Sequence, residues 1–171
     1  TADSAGPGTG ATFTLTLPRR AAALDQSASD RETSLFGGVQ PLRGLRVMLV
    51  EDDNDARELL AQLMTEAGAS VTRASSAAEA FELLQVEPPQ VLISDIGMPD
   101  EDGMSLLRRV RALPPERGGD VPAIALTAYA RPEDVRAAID AGFQLHLVKP
   151  VEVLALIDAV RAWSTPRFAA G

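Results

Sequence analysis

From residue 44 onward, short apolar runs alternate with stretches in which apolar residues recur every three or four positions. The runs lack regular polar alternation, which is typical of parallel strands buried on both faces. The predicted strands are Val47–Val50, Ser70–Ala74, Val91–Ser94, Ala123–Thr127 and Leu145–Val148. The longer periodicity predicts an amphipathic helix after each strand. Five successive βα units indicate an α/β fold with a mostly parallel sheet.

Local signals mark several helix ends. Ser76 and Glu79 have the spacing of a capping box that opens the second helix. Pro132 lies near the first turn of the fourth helix, and Gly142 is a suitable residue to end it. The apolar stripe of the first helix is predicted at Ala56, Leu59, Leu60, Leu63, Met64 and Ala67.

The first 43 residues follow a different pattern. In Ala11–Leu17, threonines alternate with apolar residues, which predicts one half-buried strand that would need a larger sheet to cover its face. Residues 18–43 show no sustained period, and we interpret 19–43 as a linker. Gly8 and Gly10 precede a strand rather than a helix, so they do not form a dinucleotide-binding loop.

Composition narrows the function classes. The net charge of -8 argues against nucleic acid as a direct partner, because phosphate contacts need clustered Lys and Arg. The chain has no cysteine, which fits a reducing cytoplasmic location. No apolar run approaches the roughly 20 residues that span a bilayer, and the N-terminus lacks a signal-peptide pattern. We therefore expect a cytoplasmic fragment without membrane contact, whose parent protein can still be attached to a membrane.

Unusual polar residues lie at the ends of four of the five predicted strands. These are Glu51, Asp52 and Asp53 at the end of the first strand, Asp95 at the third, Thr127 at the fourth and Lys149 at the fifth. The second strand ends in Ser75 and Ser76 without a charge. Ligand sites in open α/β sheets form at the carboxyl ends of strands, where the strand order reverses. For the order 2-1-3-4-5, the four strands with special residues are neighbours. The polar groups would then meet at one edge of the sheet.

These groups have a common chemistry. Clustered carboxylates raise one another's pKa unless a cation joins them, and a few oxygen ligands suit Mg²⁺ better than softer metals. A metal, an ammonium and a hydroxyl around one carboxylate describe a phosphoryl-transfer site, where catalysis depends on positioning and charge stabilisation.

Residues 44–163 resemble a response-regulator receiver domain, with residues 164–171 as a tail. The motifs that carry the resemblance are residues 47–53, residues 91–103 with Asp95, Met98-Pro99 and Asp102-Gly103, Leu126-Thr127-Ala128, and Leu147-Val148-Lys149-Pro150. The resemblance implies a flavodoxin-like (βα)5 doubly wound sheet with strand order 2-1-3-4-5. It also implies a phospho-accepting module of a two-component phosphorelay.

The resemblance assigns the metal and the phosphoryl acceptor. Asp95 would be the nucleophile that attacks phosphohistidine and forms an aspartyl phosphate. Asp52 and Asp95 would bind Mg²⁺ directly, with the Gly97 carbonyl as a third protein ligand and Glu51 acting through water. We choose Glu51-Asp52 as the acidic pair because it follows Val50, the last apolar residue of the strand. Asp53 is then expected at the helix start, where the dipole favours a negative charge.

Further roles follow from the same resemblance. Thr127 would hydrogen-bond the phosphoryl oxygen and move with it, and Lys149 would pair with the carboxylate and then with the phosphoryl group. Gly97 and Tyr129 occupy positions that tune dephosphorylation. His146 stands where the family usually has the Tyr or Phe of the switch, so the standard Thr–aromatic coupling is in doubt. The Lys149–Pro150 bond can be cis, as proline permits.

Residues 4–18 resemble the last turn and strand of a histidine-kinase ATP-binding domain, so residues 1–18 are interpreted as its C-terminal remnant. The chain would then be the end of a hybrid sensor kinase. Without the kinase catalytic core, it would catalyse only its own phosphoryl acceptance and slow dephosphorylation. Its partners would be a histidine kinase domain, in cis or in trans, or a histidine phosphotransfer protein.

Two other function classes compete. A phosphohydrolase similar to the haloacid dehalogenases would need an acid two residues after the nucleophile, where this chain has Gly97. A pseudo-receiver would be a regulatory binding module that never takes phosphate. The set Asp52, Asp95, Thr127 and Lys149 disfavours it, whereas His146 keeps it open.

Overall fold

The computed structural model describes Ala2–Asp3, Thr12–Phe13, Phe36 and residues 38–128 and 131–164. The chain divides into two compact units, residues 1–33 and 34–171. In the first unit, Thr12–Phe13 pairs antiparallel with Ala2–Asp3. This pairing covers part of the strand predicted over Ala11–Leu17. The rest of that strand, most of the linker and residues 165–171 lie outside the described residues.

The described residues of the second unit form five strands and five helices in strict alternation. The strands are β1 (Arg46–Val50), β2 (Ser70–Ala74), β3 (Val91–Asp95), β4 (Ala123–Thr127) and β5 (Leu145–Val148). The helices are α1 (Asn54–Glu66), α2 (Ala77–Val86), α3 (Gly103–Arg111), α4 (Pro132–Ala141) and α5 (Val153–Ser164). A 3-10 turn, Pro115–Arg117, lies between α3 and β4. None of the described helices is long and apolar enough to cross a membrane.

All five strands are parallel, and their order in the sheet is β2-β1-β3-β4-β5. This confirms the predicted 2-1-3-4-5 order. The order reverses between β1 and β3, so their carboxyl ends flank the crevice where such sheets bind ligands. Val50 is level with Ser94 and Asp95 with Leu126, so the ends of the three central strands lie side by side.

Helices cover both faces of the sheet, which explains the continuous apolar runs. Successive strand residues point to opposite faces. Met48 and Leu92 pack with the α2 and α3 side, whereas Leu49 and Ile93 pack with the α1 and α5 side. Every residue of β3 and β4 is buried. The edge strands β2 and β5 are only partly covered.

The helix ends agree with most of the local signals. Asp53 caps α1, where its side chain accepts a hydrogen bond from the Ala56 N–H at 2.8 Å. Gly142 ends α4 in the left-handed region. Ser76 caps α2 as predicted, but Glu79 departs from the capping box. Its carboxylate accepts from the N–H and hydroxyl of Ser75, one residue earlier, at 2.7 Å in both cases.

The apolar stripe of α1 is rotated from its predicted position. Leu60, Ala61 and Met64 are buried, whereas Leu59 is 58% exposed. Ala61, which was not in the predicted stripe, is therefore part of the core, whereas Leu59, which was predicted there, is not. The buried residues Leu60, Ala61, Met64 and Ala67 share one face of the helix, and Leu59 lies on the side away from that face.

The segment before β1, residues 38–45, packs against α1 and the sheet within the second unit. Leu42 is fully buried among the residues on the α1 and α5 side of the sheet. Its N–H donates to the Ala67 carbonyl at 2.8 Å, and the Gly44 N–H donates to Gly68 at 3.3 Å. Gly68 has a φ of +97°, and a Cβ there would lie 2.9 Å from the Gln40 Cβ. Glycine therefore suits position 68 for two reasons: it tolerates the positive φ, and it leaves room for the segment that packs against it.

Candidate functional site

The polar residues predicted at the strand ends meet at the carboxyl edge of the sheet. Glu51 and Asp52 leave β1, Asp95 ends β3, Thr127 ends β4, and Lys149 follows β5. Glu51, Asp95 and Thr127 are buried, whereas Asp52 is exposed. The site thus has a buried floor and an open rim, so an ion or phosphoryl group can enter from solvent.

Lys149 joins the two buried acids. Its Nζ donates to Glu51 Oε2 at 2.7 Å and to Asp95 Oδ2 at 2.6 Å. The residues lie 98 and 54 positions away from Lys149 in sequence. The contacts therefore depend on the sheet, which sets β1, β3 and β5 in fixed order.

Burial and the neighbouring charges act on the pKa values of this pair. Burial raises the pKa of Glu51 above its ordinary value, and the charges of Asp95 and Asp52 add to the rise, while Lys149 opposes it. Burial works to lower the pKa of Lys149. Its hydrogen bonds to Asp95 and Glu51 outweigh that effect, so its pKa is raised. The site holds excess negative charge around one stabilised ammonium.

Three carboxylates converge at a distance suited to one cation. One oxygen from each of Glu51, Asp52 and Asp95 lies within 4.8 Å of the other two. Hard carboxylate oxygens are ligands that Mg²⁺ accepts, and an exposed rim leaves room for the waters it retains. The residues present therefore fit a divalent cation.

The main chain around Asp95 holds its carboxylate from the other side. Asp95 Oδ1 accepts from the Gly97 N–H at 2.9 Å. The first residue of α3, Gly103, packs directly against the backbone of Asp95. A Cβ on Gly103 would lie 2.2 Å from the Asp95 carbonyl oxygen and 2.8 Å from the Ser94 hydroxyl. Sequence reasoning used Gly103 as part of the motif that carries the family resemblance and missed this close approach.

The other predicted residues lie around this centre. Thr127 follows Leu126, the residue level with Asp95 on the neighbouring strand, and its carbonyl accepts from the Lys149 N–H at 2.8 Å. His146 is half-buried on β5, level with Ala125 of β4. The Lys149–Pro150 peptide bond is cis. Tyr129 lies outside the described residues.

One residue near the site was missed at the level of sequence. Arg57, in the first turns of α1, donates to the Glu51 carbonyl at 2.7 Å, to the Asp52 carbonyl at 3.3 Å and to Asn54 Oδ1 at 2.8 Å. The only sequence signal was an arginine a few residues after the acidic pair, on an otherwise polar helix face.

Comparisons with known proteins agree with this architecture. Residues 47–161 match the model of the response regulator receiver domain family. A relative in Leptolyngbya boryana, described as an uncharacterized 14.6 kDa protein in the sodA1 3′ region, is 47% identical over 125 residues, covering 73% of this chain and 94% of the relative. Probable histidine kinase 2 of Oryza sativa subsp. indica is 33% identical over 135 residues, covering 71% of this chain but only 13% of the kinase.

A solved structure shows the same fold. The putative response regulator from Chloroflexus aurantiacus J-10-fl superposes with a TM-score of 0.66 and 32% identity, covering 70% of this chain and 97% of that one. Residues 47–161, which match the family model, include the acidic residues Glu51, Asp52 and Asp95 and also Lys149. With the family model matching well over half of the sequence, this chain belongs to the response regulator receiver family.

Proposed function

We propose that Asp95 accepts a phosphoryl group from the phosphohistidine of a kinase domain or a phosphotransfer protein. The observation that carries the proposal is the bridge from Lys149 to Glu51 and Asp95 beside the exposed Asp52. A carboxylate oxygen of Asp95 would form the new O–P bond as the P–N bond breaks, and the imidazole would leave. The product is an aspartyl phosphate.

The residues that would hold Mg²⁺ are Asp52 and Asp95, with the Gly97 carbonyl, and with Glu51 acting through water. When bound, the cation would supply positive charge against the phosphoryl oxygens. Glu51 is buried and engaged with Lys149, which suits a residue that acts on the metal indirectly. The exposed carboxylate of Asp52 is suited to direct contact.

Lys149 and Thr127 have separate proposed tasks. The Lys149 ammonium holds one Asp95 oxygen in place and would turn to the phosphoryl group as charge develops there. The Thr127 hydroxyl would donate to a phosphoryl oxygen from the neighbouring strand. Any movement of Thr127 would reach β5, because its carbonyl is bonded to the Lys149 N–H.

His146 would connect this movement to a partner. It lies half-buried on the edge strand, two residues before Val148, whose side chain is 40% exposed. We propose that phosphorylation changes how α4, β5 and α5 meet a kinase or phosphotransfer partner. Gly97 and Tyr129 would tune the lifetime of the phosphoryl group. Unchanged NMR shifts on this face after phosphorylation would contradict the switch.

The origin of the chain in a hybrid sensor kinase is part of the proposal. It rests on the likeness of residues 1–18 to the end of an ATP-binding domain, with 19–43 as linker, 44–163 as receiver and 164–171 as tail. The relative in rice described as a histidine kinase is consistent with this arrangement, since the match covers a small part of that protein. The buried Leu42 adds that the last part of the linker packs with the receiver.

Intact mass spectrometry after incubation with acetyl phosphate and Mg²⁺ tests the function. The expected result is a gain of one phosphoryl group that is absent in Asp95→Asn and in wild type with a chelator. No gain in wild type would favour the phosphorylation-independent pseudo-receiver. Rapid turnover of acetyl phosphate without a mass gain would favour a hydrolase.

A further inference from the structure

We infer that Arg57 is a positioning residue for the metal site, acting through the turn that carries the acidic pair. The inference rests on the proposed function, because it concerns the Mg²⁺ that phosphoryl acceptance would need. Arg57 is half-buried on α1. Its guanidinium reaches back to three oxygens of the turn between β1 and α1.

The contacts of Arg57 are directed at the backbone of the acidic pair. Nη1 donates to the carbonyls of Glu51 and Asp52, and Nη2 donates to the side-chain amide oxygen of Asn54. None of these partners is a carboxylate, so Arg57 does not form an ion pair there. Its planar fork instead fixes the relative orientation of successive peptide groups, which the single ammonium of a lysine cannot do.

Asp52 is the residue that depends most on this support. Its side chain is exposed, and within the described part of the chain it makes no hydrogen bond or ion pair. Glu51, by contrast, is held by Lys149. The direction of the Asp52 carboxylate is therefore set mainly by the main chain of the turn, which Arg57 holds through the Asp52 carbonyl.

A positioning role and a purely electrostatic role for Arg57 predict opposite effects on the affinity for Mg²⁺. Arg57 carries a positive charge beside a cation site, so Coulomb repulsion alone would make Mg²⁺ bind more tightly once that charge is removed. A positioning role predicts weaker binding, because the ligand is no longer held ready. Loss of an outer partner of a metal ligand commonly lowers affinity by about 10–100-fold.

The test is calorimetric titration of Mg²⁺ into the full chain for wild type, Arg57→Met, Arg57→Lys and a control, Arg161→Met. Arg161 is an exposed arginine of α5 whose one ion pair among the described residues is with Asp158 at 3.4 Å, so its variant should match wild type. We expect affinity to fall by about tenfold in Arg57→Met. Arg57→Lys, which keeps the charge but loses the fork, should also bind more weakly. Affinity equal to or above wild type in Arg57→Met, or full recovery in Arg57→Lys, overturns the inference.

A second readout separates positioning from a general structural defect. The Mg²⁺ concentration for half-maximal phosphorylation by acetyl phosphate should rise in both Arg57 variants, while the rate at saturating Mg²⁺ should return to that of wild type. A rate that stays low at saturation contradicts the inference. If Arg57→Met does not fold, as judged by circular dichroism without Mg²⁺, Arg57→Lys decides the matter. Wild type that binds no Mg²⁺ would instead overturn the proposed function.

Discussion

At the scale of single residues, the three consecutive acids after β1 have three different environments. Glu51 is 1% exposed and bonded to Lys149, Asp52 is exposed without a side-chain partner among the described residues, and Asp53 caps α1. The side chain of Asp53 is occupied by the Ala56 N–H, which removes it from the acidic group. Asp53 thus lies at the helix start as expected, and the choice of Glu51 and Asp52 as the acidic pair stays a prediction.

Substitutions of the two exposed acids, Asp52 and Asp53, should affect different properties: one metal binding, the other stability. Asp53→Ala should lower the free energy of unfolding by about 1 kcal/mol, because a helix cap is lost, and should leave Mg²⁺ affinity unchanged. Asp52→Asn should lower Mg²⁺ affinity by at least about tenfold without loss of stability in metal-free buffer. Urea unfolding and calorimetry would check both. The reverse pattern would show that Asp53 belongs to the metal site.

Lys149 should give the site a pH-dependent contribution to stability. In Lys149→Met, Glu51 keeps the burial that raises its pKa and loses the ammonium that opposes the rise. The folded variant then binds a proton more strongly than the unfolded chain, so its stability increases as pH falls toward the usual range of a carboxylic acid. We expect Lys149→Met to lower the free energy of unfolding by about 2–3 kcal/mol at pH about 8, and by less toward pH about 5.

Urea unfolding with a chelator at the two pH values would measure this effect. Arg161→Met is again a suitable control, since that exposed pair should contribute little at either pH. A deficit that grows on acidification would contradict the assignment of the effect to Glu51.

At the scale of elements, the segment before β1 (residues 38–45) should contribute to the stability of the receiver domain. Leu42 is fully buried and its N–H is bonded to the end of α1. The sequence pattern ended the linker at residue 43, because a single leucine among Pro, Arg and Gly carries no period. Burial of this residue depends on the groove between α1 and the sheet, which local sequence does not show.

Leu42→Ala should therefore lower the free energy of unfolding by about 3 kcal/mol, since it leaves a cavity beneath the segment. Val39→Ala is the matched control in the same segment, because Val39 is 66% exposed. Its expected cost is below about 0.5 kcal/mol. Thermal or urea unfolding of the full chain would measure both. Equal small effects would show that the segment is not held on the receiver in solution.

At the scale of the whole molecule, the acidic edge should link folding to Mg²⁺. The cluster of Glu51, Asp52 and Asp95 exists only when β1 and β3 are paired, so the cation should bind the folded chain in preference to the unfolded one. Mg²⁺ at ten times its dissociation constant should stabilise wild type by about 1.4 kcal/mol.

Thermal unfolding across a Mg²⁺ series would measure this linkage. Asp52→Asn should lose most of the shift, and the same concentrations of Na⁺ at matched ionic strength should not reproduce it. An equal shift in wild type and variant would indicate general screening of the net charge of -8 rather than a site.

The sequence by itself determined the five strands, the five helices and the residues at the strand ends, because these follow from local periodicity and turn chemistry. It also placed Asp95 and Lys149 in one site once the strand order was assumed. The tertiary structure decided which contacts form. Lys149 donates hydrogen bonds to both Glu51 and Asp95, Arg57 reaches the turn after β1, Gly103 packs closely on Asp95, and Leu42 is buried. These depend on distances between elements far apart in the chain, which no local pattern encodes.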